Sequence, residues 1–561
     1  MWQGIPYTNV HELNLDWIIE RIKELEGIKA QSIAPTDTLI NIADMVEGDL
    51  TNDNIVDAIR DALLVSSYIF IPKGKYTFNI TLNQDCHIVM DDEAVIQSDN
   101  GSPCIDMHDS RFSLYGGYVE SGLNDDSRTL YGNSIFASIV KCSDCHDIHI
   151  EGVKSTHSKH ASVFQFRDCE NVLVQNCSFS NFLLSAVWCF NYNRNIRINN
   201  CSFMYSKRPT GHEYCYFVCT GVTDFNTRIT PLDGYIVENC YGYDSEDCGI
   251  DTHGAKNVIF RNNVVLETIC ALTAYNDNRR ALRTLGWNME NILIENNYCV
   301  SNKDNEAGRT LPHPFVFVGS SNYYTEDEAG YEDNPGSYYS YCNCTIRNNY
   351  FKSVNSYGPD LGTVFLNQVS RNVLIEDNVI DSCNCNRGPR PNRCINFTIR
   401  NNTFLNQTGQ TACLYSLGTV TNNVGSRYYT AGSYPSCVDG DGIVGDAITG
   451  GSKSTMLRLG QWYYDSSSIK VSKSYGIRFR PDITPPAAET IDVVDGVCIS
   501  TKHGYIPGTY LKMTDGNGTI YRYIRDVIDM KRFIAYDGSG NPPPDGTYSV
   551  EMGQATVITL T

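Results

Sequence analysis

Short apolar strands that end in a polar pair recur through the middle of the chain. Copies read NVLVQNC (171–177), NIRINNC (195–201), GYIVENC (234–240), NVIFRNN (257–263), NILIENN (291–297), NCTIRNN (343–349), NVLIEDN (372–378) and NFTIRNN (396–402). An earlier copy is DIHIEGV (147–153), and a degenerate last one closes at Thr421-Asn422-Asn423. Within each copy apolar and polar residues alternate, the two-residue period of a strand with one buried face. The first residues of the closing pairs fall at 152, 176, 200, 239, 262, 296, 348, 377, 401 and 422, with separations of 24, 24, 39, 23, 34, 52, 29, 24 and 21. A floor of about two dozen residues with occasional excesses is the spacing of a β-helical coil carrying loop insertions. A propeller would repeat near 40 residues with four strands, and a sandwich lacks a fixed corner. The pattern predicts an all-β chain wound as a right-handed parallel β-helix. Its corner Asn residues should take left-handed geometry and hydrogen-bond to their counterparts one coil away, a structural role.

The flanks differ. Residues 13–26 (LNLDWIIERIKELE) place Leu15, Ile18, Ile19, Ile22 and Leu25 on one helical stripe, and so short a helix needs a partner surface. A second helix is expected over Asn54–Leu64 (NIVDAIRDALL), followed by the strand YIFIPKGKYTF (68–78) and a strand pair through Cys86–Ile96. Beyond Asn423 the repeat stops. SCVDGDGIVGDAITG (436–450) reads as linker or turn, and Asp439-Gly-Asp441-Gly is too short for a calcium loop. Strands and turns alternate over 451–561, predicting a separate antiparallel β domain for trimerisation or sugar binding. The expected division is 1–44, 45–430, 431–450 and 451–561.

Composition narrows the function. A formal net charge of −20 argues against a nucleic-acid binder, which needs a basic stripe to neutralise phosphates. No run of eighteen apolar residues exists to span a membrane, and MWQGIPYTNVHELNLDW lacks the layout of a signal peptide. The expectation is therefore folding in a reducing cytoplasm, with the 22 cysteines acting as small buried apolar residues. Cys142-Ser-Asp-Cys145-His146 matches a haem-attachment spacing, but that attachment needs export. Cys342/Cys344 and Cys383/Cys385 lie two apart on strands, as packed thiols or a zinc site, and packed thiols are favoured. The sequons at Asn176, Asn396 and Asn401 carry no weight in an unexported chain. No cofactor and no metal are expected.

Helix, apolar strand, then Ile71-Pro72-Lys73-Gly74-Lys75-Tyr76 resembles the N-terminal cap of pectate-lyase-like β-helix proteins, and the resemblance covers about residues 45–425. The leading peptide with Asn14-Leu15-Asp16-Trp17-Ile18-Ile19 looks like the virion-docking start of tail proteins from short-tailed phages of Gram-positive hosts. Together they resemble a phage tail spike or appendage. That resemblance implies a homotrimer joined to tail or collar proteins through Leu15, Trp17, Ile18 and Ile22. It further implies a virion component made in the host cytoplasm, acting outside the cell on capsule, wall polysaccharide or teichoic acid.

Glycan cleavage generally uses two carboxylates about 5 to 9.5 Å apart. YDSEDCGIDTHG supplies Asp244, Glu246, Asp247, Asp251 and His253, with Asp251 and His253 two apart on a short strand and so projecting together. This stretch looks like the acidic site with a nearby His of polygalacturonase-like enzymes, although it lacks their adjacent aspartates and downstream Arg-x-Lys. The assignment is Asp251 as acid or base, Asp247 or Glu246 as its partner, and His253 as orienter; an acidic solvated turn is the structural alternative. The insertion 302–341 offers Tyr323, Tyr324 and Tyr331, with Tyr338 and Tyr339, beside Glu326, Asp327, Glu328, Glu332 and Asp333, residues suited to a sugar-binding wall or to an acidic loop. Asn276–Trp287 adds Arg279, Arg280, Arg283 and Trp287 for an anionic glycan, or an Arg base if lyase chemistry applies. His157 and His160, near Glu151, suit an exposed turn better than a metal site. Three functions stay open: a depolymerase, a non-catalytic receptor-binding adhesin of the same architecture, and a free bacterial polysaccharidase.

Overall fold

The computed structural model describes residues 38–122, 127–131, 134–221, 232–276, 291–303, 315–320, 343–353, 364–367, 371–382, 390–391, 395–405, 417–421, 442–445, 462–464, 475–479, 489–500, 510–527, 532–537, 540–552 and 558–560. It is a parallel β-helix in which each full coil lays one strand on each of three faces, A, B and C. The chain divides into two compact units. The first is built from residues up to Cys189 with Asn193–Phe217 and Ile236–Asp244, and the second from Phe190–Tyr192, Val218–Tyr235 and everything from Ser245.

In the first unit the helix α1 (Ile55–Val65) buries Ile55, Ala58, Ile59, Ala62 and Leu63 and packs on the opening strand Tyr68–Ile71. Those positions are one stripe of a 3.6-residue period. The A-face strands Cys86–Met90, Arg111–Tyr115, His146–Glu151, Glu170–Gln175 and Arg194–Asn199 follow in parallel. Their alternating residues stack in register, Ile148 on Val172 on Ile196 and Ile150 on Val174 on Ile198, all buried. The B face carries Gly74–Thr77, Ala94–Ser98, Tyr118–Ser121, Lys154–Ser155, Ser178–Leu183 and Ser202–Lys207. In the second unit the same stacking recurs, Val258 on Ile292 on Cys344 on Val373, and Phe260 on Ile294 on Ile346 on Ile375.

The corners explain why the closing pair opens with Asn, Asp or Gly. Asn176, Asn200, Asn239, Asn262, Asn296, Asn348, Asp377 and Asn401 all have φ between 54° and 56°, and Gly152 takes the role at φ 67°. This left-handed region disfavours most L-residues and is tolerated best by Gly, Asn and Asp. The second residue of each pair turns inward and is buried. In the first unit it is Cys177, Cys201 and Cys240, whose thiols donate to the carbonyls of Gln175, Asn199 and Glu238 (3.1, 3.3 and 3.2 Å). In the second unit it is Asn263, Asn297, Asn349, Asn378 and Asn402. Asn297 Nδ2 donates to Phe260 O and Asn349 Oδ1 (2.8 and 2.9 Å), and its backbone N–H donates to the same Oδ1 (2.9 Å). Asn349 and Asn378 repeat the arrangement, so the ladder that binds coil to coil is inner as well as outer.

All sixteen described free cysteines are buried, including Cys142 and Cys145 of the C-x-x-C-H stretch and Cys344. Cys342, Cys383 and Cys385 lie outside the described residues, as does the helix expected at 13–26. Gly442–Gly445, within the stretch read as linker, is a strand paired antiparallel to Leu417–Thr421. Its Gly/Asp flanks hid a four-residue strand too short to show a period. Toward the C-terminus, Glu489–Val494, Val497–Ser500, Arg532–Tyr536, Gly518–Val527, Tyr510–Asp515 and Gly546–Met552 close an antiparallel barrel. Its core is Ile491, Val493, Leu511, Met513, Ile524, Phe533, Tyr548 and Val550 with Cys498 and Ala535.

Candidate functional site

The strand Cys248–His253 lies on the C face of the second unit between Val218–Gly221 and Cys270–Asn276. Ile250 stacks between Val218 and Leu272, both fully buried, and so points to the core. Alternation then sends Asp251 and His253 to the opposite face. His253 Nε2 lies 3.2 Å from Asp251 Oδ2, an ion pair when the imidazole is protonated. The backbone N–H of His253 donates to Thr220 Oγ1 (3.0 Å), which also meets Thr252 Oγ1 at 2.8 Å. That hydroxyl pair fixes the two neighbouring strands at the level of the histidine.

The register that sets Val218 beside Ile250 also sets Cys219 beside Asp251. Cys219 Sγ, a carboxylate oxygen of Asp251 and a ring nitrogen of His253 lie within 4.8 Å of one another, and Asp251 and Cys219 are each 1% exposed. Sulfur, oxygen and nitrogen donors at that spacing are the set that would suit a single tetrahedral zinc-like ion. Thr273 lies beside Asp251 on its other side, with its hydroxyl 2.9 Å from Cys270 Sγ. The arrangement offers a carboxyl group oriented by an imidazole in a water-poor setting, which is the pairing acid–base catalysis requires.

The remaining acids are placed differently. Asp247 is fully buried at the corner before the strand; its N–H donates to Ser245 Oγ (3.2 Å) and its carbonyl accepts from Ile269 and Cys270 (2.9 and 3.1 Å). Asp247 lies four residues before Asp251, at the bend that precedes the strand. Glu246 is half-buried at the same corner. Asp244 sits within Tyr241–Ser245 at φ 62°, a conformation its short polar side chain tolerates. The structure thus brings together Asp251 and His253 and adds Cys219, Thr220 and Thr273. Cys219 and Thr220 belong to CYFVCTG (215–221), which carries no corner pair, so no spacing rule pointed to them. Arg279, Arg280, Arg283, Trp287, Tyr323, Tyr324 and Tyr331 lie outside the described residues, as do Leu15, Trp17, Ile18 and Ile22. His160 is fully buried with Nδ1 3.0 Å from Ser121 Oγ, whereas His157 is half-buried; neither belongs to a three-donor cluster among the described residues.

No protein-family model matches the chain, and no curated protein matches it in sequence. Among solved structures, the catalytic unit of a thermostable GH87 α-1,3-glucanase from Streptomyces thermodiastaticus superposes with a TM-score of 0.51 at 14% identity, over 71% of this chain and 70% of that one. A family 28 exopolygalacturonase from Yersinia enterocolitica aligns over 71% of this chain and 80% of its own at 12% identity and a TM-score of 0.44. PfbA, a surface adhesin of Streptococcus pneumoniae, aligns over 72% and 100% at 12% identity and a TM-score of 0.43. The glucanase likeness establishes a shared fold.

Proposed function

We propose that this β-helix binds and depolymerises a bacterial surface polysaccharide, as the tail spike or appendage of a phage. The observation that carries the catalytic part is the Asp251–His253 pair on the non-core face of the C strand, 3.2 Å apart. Asp251 supplies the proton-transferring carboxyl group and His253 orients it. The glucanase that shares the fold is an enzyme of polysaccharide breakdown by its name, which supports the substrate class without fixing the glycan. The phage setting, the homotrimer and the docking of the N-terminus on tail or collar proteins rest on the leading peptide and its resemblance.

The test incubates purified protein with host capsule, wall polysaccharide and teichoic acid and measures new reducing ends. Wild type should release them, and Asp251→Asn should lower the rate by about 100-fold or more. Release that continues undiminished in Asp251→Asn removes the catalytic assignment. Tight glycan binding with no release from wild type identifies an adhesin instead.

A further inference from the structure

The pair assigned to proton transfer has a third member that proton transfer does not use. Cys219 stands on the neighbouring coil at the level of Asp251, and its thiol donates to the carbonyl of Thr220 (3.1 Å). Two donors two apart on one strand and a third from the strand beside it form a set that backbone pairing holds in place. The N–H of His253 on Thr220 Oγ1 (3.0 Å) and the contact between the Thr220 and Thr252 hydroxyls (2.8 Å) fix those strands where the donors stand. In a tetrahedral site with metal–ligand bonds of zinc length, donor atoms lie about 3.4 to 3.6 Å apart. His253 Nε2 and Asp251 Oδ2, at 3.2 Å, lie close to that spacing. The Cys219 sulfur, within 4.8 Å of a donor atom on each, closes the set by side-chain rotation.

Charge and donor type select the ion. A deprotonated Cys219 and an ionised Asp251 carry two negative charges, and His253 ligates as a neutral imidazole, so a divalent cation brings this buried set to zero net charge. A monovalent cation would leave one buried charge unanswered. Thiolate and imidazole favour zinc-class ions over magnesium and calcium, which take shells of oxygen ligands. Three protein donors leave the fourth tetrahedral position to water. The imidazole is the side of entry, since its side chain is 15% exposed and that of Asp251 only 2%. Binding exchanges the Cys219–Thr220 and Asp251–His253 hydrogen bonds for metal–sulfur, metal–oxygen and metal–nitrogen bonds, and the thiol proton leaves to solvent.

We infer that Cys219, Asp251 and His253 form a site for one zinc-class divalent cation, and that the bound ion withholds Asp251 from proton transfer. The site stands on its own geometry, and only the withholding rests on the cleavage reading. Full-length protein, kept reduced, is titrated with Co2+ as the spectroscopic probe. One ion per chain should give a thiolate-to-cobalt charge-transfer band together with the visible bands of tetrahedral cobalt. Zinc should bleach both at about one equivalent, and magnesium in about hundredfold excess should not. Cys219→Ser should lose the charge-transfer band. Should that variant fail to melt like wild type, His253→Gln should keep the band and weaken cobalt binding by about tenfold or more. No such band in wild type, an equal band in Cys219→Ser, or cobalt binding unchanged in His253→Gln overturns the site. In the reducing-end assay, saturating zinc should stop release and a chelator should restore it, whereas full release from zinc-loaded protein overturns the withholding. Wild type that shows the band yet releases nothing without zinc sinks the cleavage reading and leaves the ion site standing, so the two failures are told apart.

Discussion

Two adjacent asparagines at one corner do different work. Asn296 occupies the left-handed region at φ 56°, where glycine is equally at ease. Asn297 is 2% exposed; its Oδ1 accepts from both the backbone N–H and the Nδ2 of Asn263 (3.1 and 3.0 Å). Asn296→Gly should therefore change stability by a few tenths of a kcal/mol, and Asn296→Ala should cost about 1 kcal/mol through backbone strain. Asn297→Ala strands buried donors and should cost about 3 kcal/mol. Urea unfolding midpoints separate the three. The sequence marked both positions as one polar pair. It could not say which member faces inward, because that depends on the sense in which the corner turns. Another residue-scale effect is pH dependence. Burial pulls the His160 imidazole down to about 4, so the native state stays neutral while the unfolded chain takes a proton near pH 6.5. Stability from this group is intact above pH 6.5 and is lost as pH falls toward 4, by about 3 kcal/mol in all. His160→Gln should flatten that part of the curve of urea midpoint against pH.

At the scale of the element, the inner corner position changes chemistry along the chain. Cys177, Cys201 and Cys240 each send a thiol to the carbonyl two residues back, the bond that Asn349 and Asn402 make with an amide (2.9 and 3.0 Å). A thiol offers one weak donor, whereas an amide also accepts from the neighbouring coil. Cys201→Ala should accordingly cost about 1 kcal/mol, clearly less than Asn349→Ala, when both are unfolded in urea. Repeats of this kind made the coils readable from alternation and spacing alone. The strand Cys248–His253 was readable too, since Asp251 and His253 share a face by counting. Its neighbours were not, because an insertion separates Gly221 from Cys248 and the pairing of Cys219 with Asp251 has no fixed offset. Asp247 was grouped with Asp251 by nearness in sequence, and the chain sets it at the bend before the strand rather than on it.

For the molecule as a whole, β-helix winding places side chains from distant sequence on a common flank. Lys75, Arg128 and Lys207 line one groove of the first unit without sharing any motif. The antiparallel barrel has its own closed hydrogen-bonding and its own core, so residues 489–552 expressed alone should keep a β-type circular-dichroism spectrum and a cooperative melt. A spectrum of random coil from that fragment would show that the barrel depends on the rest of the chain.

The file of thiols at successive corners bears on how the protein ages. Cys177, Cys201 and Cys240 are sealed from solvent, so an oxidant reaches them only when a coil frays. Once opened, neighbouring sulfurs one rung apart, about 4.8 Å, are near enough to couple, and a rung crosslinked that way cannot close on its old register. Damage would then spread by preventing repair rather than by attack on the intact coils, so shelf life in air should follow the rate of local opening and lengthen with any change that tightens the corners.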